Sequence, residues 1–332
     1  MQSRFAHCVS HRWSRFVIIA VASAAGLTGC GEETVAPLSS PTPTATATAT
    51  PPPTPQMFAV LSTFPAEMAP LLAQMTVEHT ATVNGRTFRV GTLAGVPVIL
   101  GITGIGLVNA ARTTGELLDR FDVAGVLLSA VAGGSTQQIG DVAVPAAFEL
   151  KDGSTFAVTP AWLAAISPTA AAGTVMLDQC TVVANPPPTT PVCMPRPAAI
   201  ILGGIGMSSD PYGGKPFACI TGGNDLYGCD LPSPPPSDPS AGPPHPALFQ
   251  PADAVTPVTQ DMETAAIARE ALARGVPFIG FRAISDGGTG DSLGLVGFLP
   301  QFSAYYRFAA RNAAAVTVAE LTYLAAHPAR GE

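Results

Sequence analysis

Short apolar runs that alternate with helical patterns constrain the fold of this chain more than any other feature. The apolar run at residues 123–129 is continuous, as in a strand buried on both faces of a sheet, and a helical pattern at 107–120 precedes it. Residues 262–274 are again helical, with Gly275 as the C-cap, and a strand-like run at 276–284 follows. Such alternation predicts an α/β domain with a central mixed β-sheet flanked by helices.

The same alternation continues toward both ends of the domain. Residues 58–62 have the pattern of a strand, and Pro65 opens an amphipathic helix through 75, because proline is favoured in a first helical turn. The β-rich runs at 87–93 and 96–102 predict a hairpin around Ala94-Gly95. Further strands are predicted at 141–145, 198–207 and 254–258, and a long final helix at 302–326.

The first thirty residues have the pattern of an export signal. Arginines precede an apolar run at residues 16–27, which is shorter than the roughly 20 residues that span a bilayer. The run ends in Leu27-Thr28-Gly29-Cys30, which resembles a bacterial lipobox. We therefore expect a signal peptide over residues 1–29, lipidation of Cys30, and a lipoprotein anchored in the periplasm or at the cell surface. The alternative is an ordinary cleaved signal with an incidental cysteine.

Residues 30–56 are predicted to form a tether. Most of this stretch is Pro, Thr and Ala, which keeps it extended and leaves nothing to bury. A globular domain is expected at 57–328, since hydrophobic residues make up 47% of the chain. The net charge is −7 and no basic cluster follows the N-terminus, so we expect no nucleic-acid partner.

Four cysteines remain in the globular part, namely Cys180, Cys193, Cys219 and Cys229. They lie in a Pro-rich region, from about 178 to 251, that we predict to be an insertion. An even number of cysteines in an exported protein suggests disulfides. Of the three pairings, the local one is favoured, which joins Cys180 to Cys193 and Cys219 to Cys229. A four-cysteine zinc site is the alternative, although no Cys-x-x-Cys occurs, and we expect neither metal nor cofactor.

Three acidic residues lie at the carboxyl ends of predicted strands, where open α/β sheets bind ligands. Glu67 follows the first strand, Glu263 follows the strand at 254–258, and Asp286 follows the strand at 276–284. Each has a plain structural alternative. The glutamates fall in first helical turns, where the helix dipole favours a carboxylate, and Asp286 precedes two glycines and can shape a turn. Their joint placement makes a shared site an equal alternative.

Segments in matching order resemble motifs of the methylthioadenosine/S-adenosylhomocysteine nucleosidases of the purine nucleoside phosphorylase superfamily. They are Phe58-Ala-Val-Leu-Ser-Thr-Phe-Pro-Ala-Glu67-Met, Gly101-Ile-Thr-Gly-Ile-Gly106, Val131-Ala-Gly-Gly134 with Ile139-Gly-Asp-Val142, Asp261-Met-Glu263-Thr-Ala-Ala-Ile-Ala268 and Arg282-Ala-Ile-Ser-Asp286. The resemblance implies a three-layer nucleoside phosphorylase-like fold and a homodimer. It also implies hydrolysis of a purine nucleoside, methylthioadenosine, S-adenosylhomocysteine or adenosine, to free base and sugar.

The resemblance further implies roles for the residues in these motifs. Asp286 would be the general acid that protonates N7 of the leaving purine, and Glu67 the general base that deprotonates the attacking water. Glu263 would hold the ribose hydroxyls, with Met262 against the sugar face.

Three positions leave alternatives open or depart from the family. Ser208-Ser-Asp-Pro-Tyr212 resembles the segment whose aromatic ring stacks on the base, although Tyr212 as an ordinary loop aromatic is nearly as good an interpretation. Arg282 either orients Asp286 or forms an internal salt bridge. Val131 stands where the nucleosidases often carry serine.

The group that accepts the sugar separates hydrolases from phosphorylases. Phosphorylases need a cationic phosphate cradle, typically opened by Gly-Asp-Pro-x-Arg. Here residues 62–65 read Ser-Thr-Phe-Pro, without arginine, and a carboxylate at Glu67 would repel phosphate. Hydrolysis is favoured. The alternatives are a phosphate-dependent phosphorylase and a non-catalytic nucleoside-binding or storage lipoprotein on the same fold.

Overall fold

The computed structural model describes residues 57–171, 173–183, 191–220, 222–228, 230 and 242–327. The predicted signal peptide, the tether, Cys30 and Cys229 lie outside these ranges, so export and lipidation stay predictions. Within the described ranges, no helix is both long enough and apolar enough to cross a membrane.

Strands and helices alternate along the described chain as predicted. The strands are β1 (Met57–Ser62), β2 (Met75–Val83), β3 (Arg86–Leu93), β4 (Val96–Ile102), β5 (Val123–Gly133), β6 (Val142–Val144), β7 (Ala147–Leu150), β8 (Thr155–Ala157), β9 (Met176–Leu177), β10 (Cys180–Thr181), β11 (Val192–Cys193), β12 (Ala199–Ser208), β13 (His245–Pro246), β14 (Leu248–Asp261) and β15 (Phe278–Asp286). The helices are α1 (Pro65–Leu72), α2 (Leu107–Arg120), α3 (Pro160–Ala171), α4 (Asn224–Tyr227), α5 (Thr264–Ala273) and α6 (Phe298–Ala326).

A mixed sheet of eleven strands runs through the centre of the domain, in the order β2-β3-β4-β1-β5-β15-β6-β12-β7-β8, with β14 beside β12 and β5. Within this order, β4 is parallel to β1, β1 is parallel to β5, and β5 is parallel to β15. The hairpins β2–β3 and β3–β4 and the pair β15–β6 are antiparallel. Every residue of β15 is buried, as expected for a parallel strand covered on both faces. The predicted mixed sheet is confirmed.

Helices cover both faces of this sheet, which gives three layers. Successive residues of a strand point to opposite faces, and β1 shows the consequence. Phe58 and Val60 join a core that includes side chains of α1, α3 and α6. Ala59 and Leu61 join a separate core with side chains of α2 and α5. The three-layer α/β fold expected from the sequence is therefore the fold observed.

Two predicted elements at the start of the domain differ from the structure. The helix that begins at Pro65 ends at Leu72 rather than 75, because Met75 already belongs to β2. No strand was predicted there. Since β2 is an edge strand whose middle residues are exposed, it lacks the apolar alternation that marks a half-buried strand.

The Pro- and Cys-rich region is not a single insertion, and the boundary at 178–251 was wrong in this respect. The strand β12 lies in its middle and pairs with β6, β7 and β14 in the central sheet. Irregular chain lies on either side of that strand. A disulfide joins Cys180 to Cys193 across the β10–β11 pair, as predicted, and Cys219 is also disulfide-bonded.

Candidate active site

A pocket of about 590 Å³ opens at the carboxyl ends of the parallel strands, and all three predicted acidic residues line it. Glu67 lies in the first turn of α1 after β1, Glu263 directly precedes α5 after β14, and Asp286 is the last residue of β15. All three side chains are buried. The structure thus brings into one pocket the three carboxyl groups that the sequence placed at separate strand ends.

Glu67 is held by four hydrogen bonds. Its Oε2 accepts from the Thr63 N–H and from the Thr63 hydroxyl, each at 2.6 Å, and from the Phe64 N–H at 3.3 Å. Its Oε1 accepts from the Val131 N–H at 2.8 Å. Burial raises the pKa of Glu67 to about 7 against the opposing charge of Arg282. A carboxyl group with this pKa can accept a proton near neutral pH.

The hydrogen bonds of Glu67 fit both interpretations of its position, as a carboxylate in the first turn of a helix and as a residue of a shared site. The bond from Phe64 closes the first turn of α1, which is the structural role that a carboxylate at this position can play. The bond from Val131 reaches across to β5 and fixes the carboxyl group in the pocket. Val131, at the predicted substrate site, therefore acts through its backbone rather than through the missing serine hydroxyl.

Glu263 is oriented by two donors from different elements. Its Oε1 accepts from the Gly106 N–H at 2.9 Å, and its Oε2 accepts from the Arg282 guanidinium at 3.0 Å. Burial raises the pKa of Glu263, and the charge of Arg282 opposes that change. The neighbouring Met262, predicted to lie against the sugar, is half-buried and lines the same pocket.

Arg282 forms an internal ion pair, and of its two predicted roles the orientation of Asp286 is wrong. Its guanidinium lies 3.0 Å from Glu263 Oε2 and 3.4 Å from Asp261 Oδ1. It also donates to the Thr264 hydroxyl at 2.8 Å and to the Val131 carbonyl at 2.6 Å. A guanidinium has five N–H donors in a fixed plane, and these contacts direct them toward the carboxylate of Glu263 instead.

Asp286 has a different environment from the two glutamates. Its Oδ1 accepts a hydrogen bond from the Ser285 hydroxyl at 2.7 Å. Pairing between β15 and β5 is irregular between Ile284 and Asp286, and a bulge of this kind redirects side chains at the end of a strand. Burial raises the pKa of Asp286. The carboxyl group therefore keeps its proton to a higher pH than an exposed aspartate does.

Asp261 is a site residue whose importance was not predicted. Its Oδ1 accepts from the Ser208 hydroxyl at 2.7 Å and from the N–H groups of Glu263 and Thr264, each at 2.9 Å. These bonds tie the end of β12 to the start of α5 and fix the backbone that carries Glu263. An aspartate just before a helical pattern is the usual signal for such a cap.

Tyr212 lines the pocket and packs closely on the turn before α2. Gly106, with φ +93°, would place an added Cβ only 3.0 Å from the Tyr212 ring. The ring also contacts Phe217, with centroids 5.1 Å apart, and Phe217 contacts Tyr227 at 6.2 Å. Tyr212 is thus part of an aromatic cluster at the pocket rim.

An apolar wall of the pocket was not predicted. It consists of Phe64, Ile105, Leu226, Tyr227, Phe298 and Phe302. Phe298 was missed because α6 begins there, four residues before its predicted start at 302. Leu226 and Tyr227 were missed because the short helix α4 lies in the Pro-rich region, where no helix was predicted.

The charge of the pocket is strongly biased toward acid. Among the described residues that line it, Arg282 is the single basic side chain, against Glu67, Asp261, Glu263 and Asp286. That guanidinium is already paired with two carboxylates. Across the described ranges, no cluster of three or more His, Cys, Asp or Glu side chains is arranged to hold a metal ion.

Comparison with known proteins relates this geometry to a family. A family model of the phosphorylase superfamily matches residues 57–185. The uncharacterized protein Rv2293c of Mycobacterium tuberculosis is 37% identical over 194 residues, which make up 52% of this chain and 75% of that protein. The 5′-methylthioadenosine/S-adenosylhomocysteine nucleosidase of Bacillus thuringiensis is 39% identical over 88 residues, or 26% of this chain and 38% of that enzyme.

A solved structure shows the same fold. The methylthioadenosine/S-adenosylhomocysteine nucleosidase of Colwellia psychrerythraea, in complex with adenine, superposes with a TM-score of 0.55 at 20% identity, covering 82% of this chain and 96% of that one. The sequence match shows the family, and the solved structure shows that the mixed sheet and its helices have the same fold. The chain belongs to the phosphorylase superfamily, as its resemblance to the methylthioadenosine/S-adenosylhomocysteine nucleosidases predicted.

Proposed function

We propose that this protein hydrolyses the N-glycosidic bond of a purine nucleoside, releasing the free base and the sugar. Three buried carboxyl groups in one acidic pocket carry the proposal, because their surroundings differ in the way the reaction requires. Cleavage passes through a sugar with cationic character at C1′, so one group must protonate the base, one must activate water, and one must hold the sugar.

Asp286 supplies the proton to the base. The bond between C1′ and the purine nitrogen breaks with its electron pair moving into the purine, and protonation at N7 neutralises that charge. Burial raises the pKa of Asp286, so the acid form needed for donation is favoured. The bond from Ser285 keeps the carboxyl group in one orientation. Tyr212, beside the turn at Gly106, is the candidate to stack on the purine.

Glu67 takes a proton from water as the water oxygen bonds to C1′. Its pKa of about 7 suits this step, since a weaker base would not accept the proton and a stronger one would already carry it at neutral pH. Glu263 accepts hydrogen bonds from the ribose hydroxyls, with Arg282 and Gly106 fixing its two oxygens. After the products leave, Glu67 returns its proton to solvent and Asp286 regains one.

Water rather than phosphate is the acceptor in this proposal. A phosphate anion beside four carboxyl groups would need a free cation to offset the repulsion. The guanidinium of Arg282 is buried and already bonded to Glu263 and to the Val131 carbonyl. The apolar wall supports methylthioadenosine as a substrate, and the similarity to the nucleosidases adds adenosine and S-adenosylhomocysteine as candidates.

Release of free base by the full-length protein, with and without phosphate, tests the proposal. Adenosine and methylthioadenosine are incubated with the enzyme, and adenine and the sugar product are measured by chromatography. The proposal expects adenine and a reducing sugar at the same rate in both conditions. A sugar 1-phosphate that forms only with phosphate would identify a phosphorylase. Tight binding without release of adenine would identify a nucleoside-binding protein.

We also propose that the protein acts outside the cytoplasm, tethered through Cys30, and as a homodimer. The lipobox-like sequence at Leu27-Thr28-Gly29-Cys30 and the Pro/Thr-rich stretch after it support the anchor. The disulfide between Cys180 and Cys193 fits an oxidising compartment. Metabolic labelling with palmitate tests the anchor, since Cys30→Ala should remove the label.

A further inference from the structure

We propose that Asn109 is a positioning residue for the base side of the pocket. It joins the turn before α2 to the rim segment, defined as residues 209–220 and 222–228, and so holds the Tyr212 ring where a purine would stack. The inference rests on the proposed function. Within the described chain, the rim segment lies outside the central sheet and contributes one side of the pocket. Asn109 is buried in the first turn of α2 and does not line the pocket.

The position of the Tyr212 ring depends on the surfaces it packs against. The N–H groups of Tyr212 and Gly214 donate to the Asp210 carboxylate, which closes the turn locally, and the two residues after the tyrosine are exposed glycines. The ring itself lies over Gly106 and beside the Phe217 ring, with 5.1 Å between the two centroids. A shift of either surface would therefore move the ring.

One amide group joins these two surfaces. Asn109 Nδ2 donates to the Ile105 carbonyl at 2.9 Å and to the Phe217 carbonyl at 2.6 Å. An amide NH₂ has two hydrogens, so both bonds can form together. The first bond lies within the turn that carries Gly106, and the second reaches 108 residues along the chain to the rim segment. Asn109 therefore sets the spacing between the two surfaces that support the Tyr212 ring.

The other end of the rim segment has an attachment of its own. Asp225 Oδ2 accepts hydrogen bonds from Arg307 Nε at 2.7 Å and from the Tyr306 hydroxyl at 3.0 Å, and this ion pair ties α4 to α6. Asn109 instead ties the part that carries Phe217 to α2. Loss of the Asn109 amide should therefore loosen the base side of the rim segment while α4 stays in place.

Adenine binding tests the inference without requiring turnover. Dissociation constants of adenine are measured by calorimetry for the full-length wild type and for Asn109→Leu, which keeps a side chain of similar size against Gly104 but removes both donors. We expect adenine to bind about fivefold more weakly, because the hydrogen bond to the rim segment is lost. With adenosine as substrate, KM should rise more than kcat falls, since Asp286 and Glu67 are untouched.

Asn312→Leu is the matched control. Asn312, on α6, is also buried, and its Nδ2 also donates to two backbone carbonyls, those of Gly140 at 2.8 Å and Asp178 at 3.1 Å. None of these three residues belongs to the rim segment or lines the pocket. Both substitutions should lower Tm, whereas only Asn109→Leu should weaken adenine binding. An equal loss of adenine binding in the two variants would show that Asn109 has a general structural role, and would overturn the inference.

Two further variants show whether the effect passes through the Tyr212 ring. Phe217→Leu removes the ring that contacts Tyr212 but keeps the carbonyl that Asn109 binds, so it should also weaken adenine binding. In a Tyr212→Ala background, Asn109→Leu should cause little further loss, because residues that act through one contact are not additive. Unchanged adenine binding in Asn109→Leu or in Phe217→Leu, or full additivity with Tyr212→Ala, would also overturn the inference.

The same measurements separate failure of this inference from failure of the proposed function. If the wild type binds adenine but releases no base from nucleosides, the hydrolase proposal fails, while weaker adenine binding in Asn109→Leu still supports the positioning role. If base is released and Asn109→Leu binds adenine as the wild type does, only the positioning role is refuted. A wild type that does not bind adenine would refute the positioning role as well, because no base would then stack on Tyr212.

Discussion

At the residue scale, three carboxyl groups of similar chemistry acquire different properties from their surroundings. Glu67 has four donors and a pKa raised to about 7, Glu263 is bound to a guanidinium, and Asp286 has a serine hydroxyl as its partner. Each environment is set by backbone that belongs to a different strand end. A set of roles follows from this difference, and each role can be tested alone.

Glu67→Gln should reduce kcat by a factor of about 10²–10⁴, because the water loses its proton acceptor. The wild type should also show an acidic limb in kcat/KM. The pKa of Glu67 is raised to about 7 and the base must be unprotonated, so the rate should fall as pH drops below about 7. Steady-state rates of adenine release from pH 5 to 9 measure both effects.

Glu78→Gln serves as the control for this substitution, since Glu78 is an exposed residue of β2 that does not line the pocket. It should have wild-type kcat. Full activity of Glu67→Gln, or an acidic limb with its midpoint near 4.5, would contradict the role of Glu67 as the base.

Asp286→Asn should slow adenine nucleosides far more than a substrate with a good leaving group. The amide has no acidic proton, so N7 of adenine is left unprotonated, whereas p-nitrophenol leaves without help. The measured quantity is kcat for adenosine and for p-nitrophenyl riboside in both enzymes. We expect about a 10²–10⁴-fold loss with adenosine and a much smaller loss with the riboside. Equal losses would show that Asp286 has a structural role only.

At the element scale, the turn between β4 and α2 couples two sides of the site. Gly106 donates its N–H to Glu263 and lies under the Tyr212 ring. Its φ of +93° is a conformation that residues with a side chain rarely adopt. The sequence indicated this turn through its Gly-Ile-Gly pattern, but it did not indicate that the turn supports both the sugar side and the base side of the pocket.

Gly106→Ala should raise KM at least tenfold, because the added Cβ would lie 3.0 Å from the Tyr212 ring and would displace it. The effect on kcat should be smaller, since Asp286 and Glu67 are untouched. Gly153→Ala is the matched control. Gly153 has φ +85° and nothing within 4 Å of an added Cβ, so it carries the backbone strain without the contact. An equal KM in both variants would contradict the proposed function of the turn.

Elements whose hydrophobic pattern is complete were predictable, and elements held by long-range contacts were not. The helix α2 was predicted at its observed bounds, because its apolar and polar faces are clearly separated. The edge strand β2 was missed, since pairing with β3 rather than burial determines it. The short helix α4 was missed because a disulfide-bonded rim and the ion pair of Asp225 hold it.

The same distinction applies to the site. The three acidic residues follow strand ends, and their convergence follows from the geometry of parallel strands. The partner of Arg282 was left open, because the direction of a long side chain depends on residues far away in sequence. The structure directs it to Glu263, 19 residues earlier in the chain, and to the Val131 carbonyl, which lies 151 residues earlier.

At the scale of the whole molecule, two buried carboxyl groups with raised pKa values make stability depend on pH. Burial raises the pKa of Glu67 to about 7 and that of Glu320, on α6, to about 8. Among the described residues, neither carboxyl oxygen of Glu320 has a hydrogen-bond partner. In the unfolded chain a glutamate loses its proton near pH 4.3. Between that pH and 8 the folded state therefore binds more protons than the unfolded state, and stability falls as pH rises.

Glu320→Leu should make the protein more stable, and more so at pH 8 than at pH 5. The substitution removes a buried carboxyl group without partners, whose burial costs about 1–3 kcal/mol when it is left unsatisfied. At pH 5 the folded carboxyl group keeps its proton, and the unfolded one is less than one pH unit above its pKa of about 4.3, so the free-energy cost of retaining that proton on folding is still small and less is gained. Thermal unfolding of the full-length protein and of the exposed control Glu78→Gln, from pH 5 to 8.5, measures the difference. A gain in Tm that is the same at both pH values would show that Glu320 retains no extra proton on folding, because only such a proton makes the gain grow with pH.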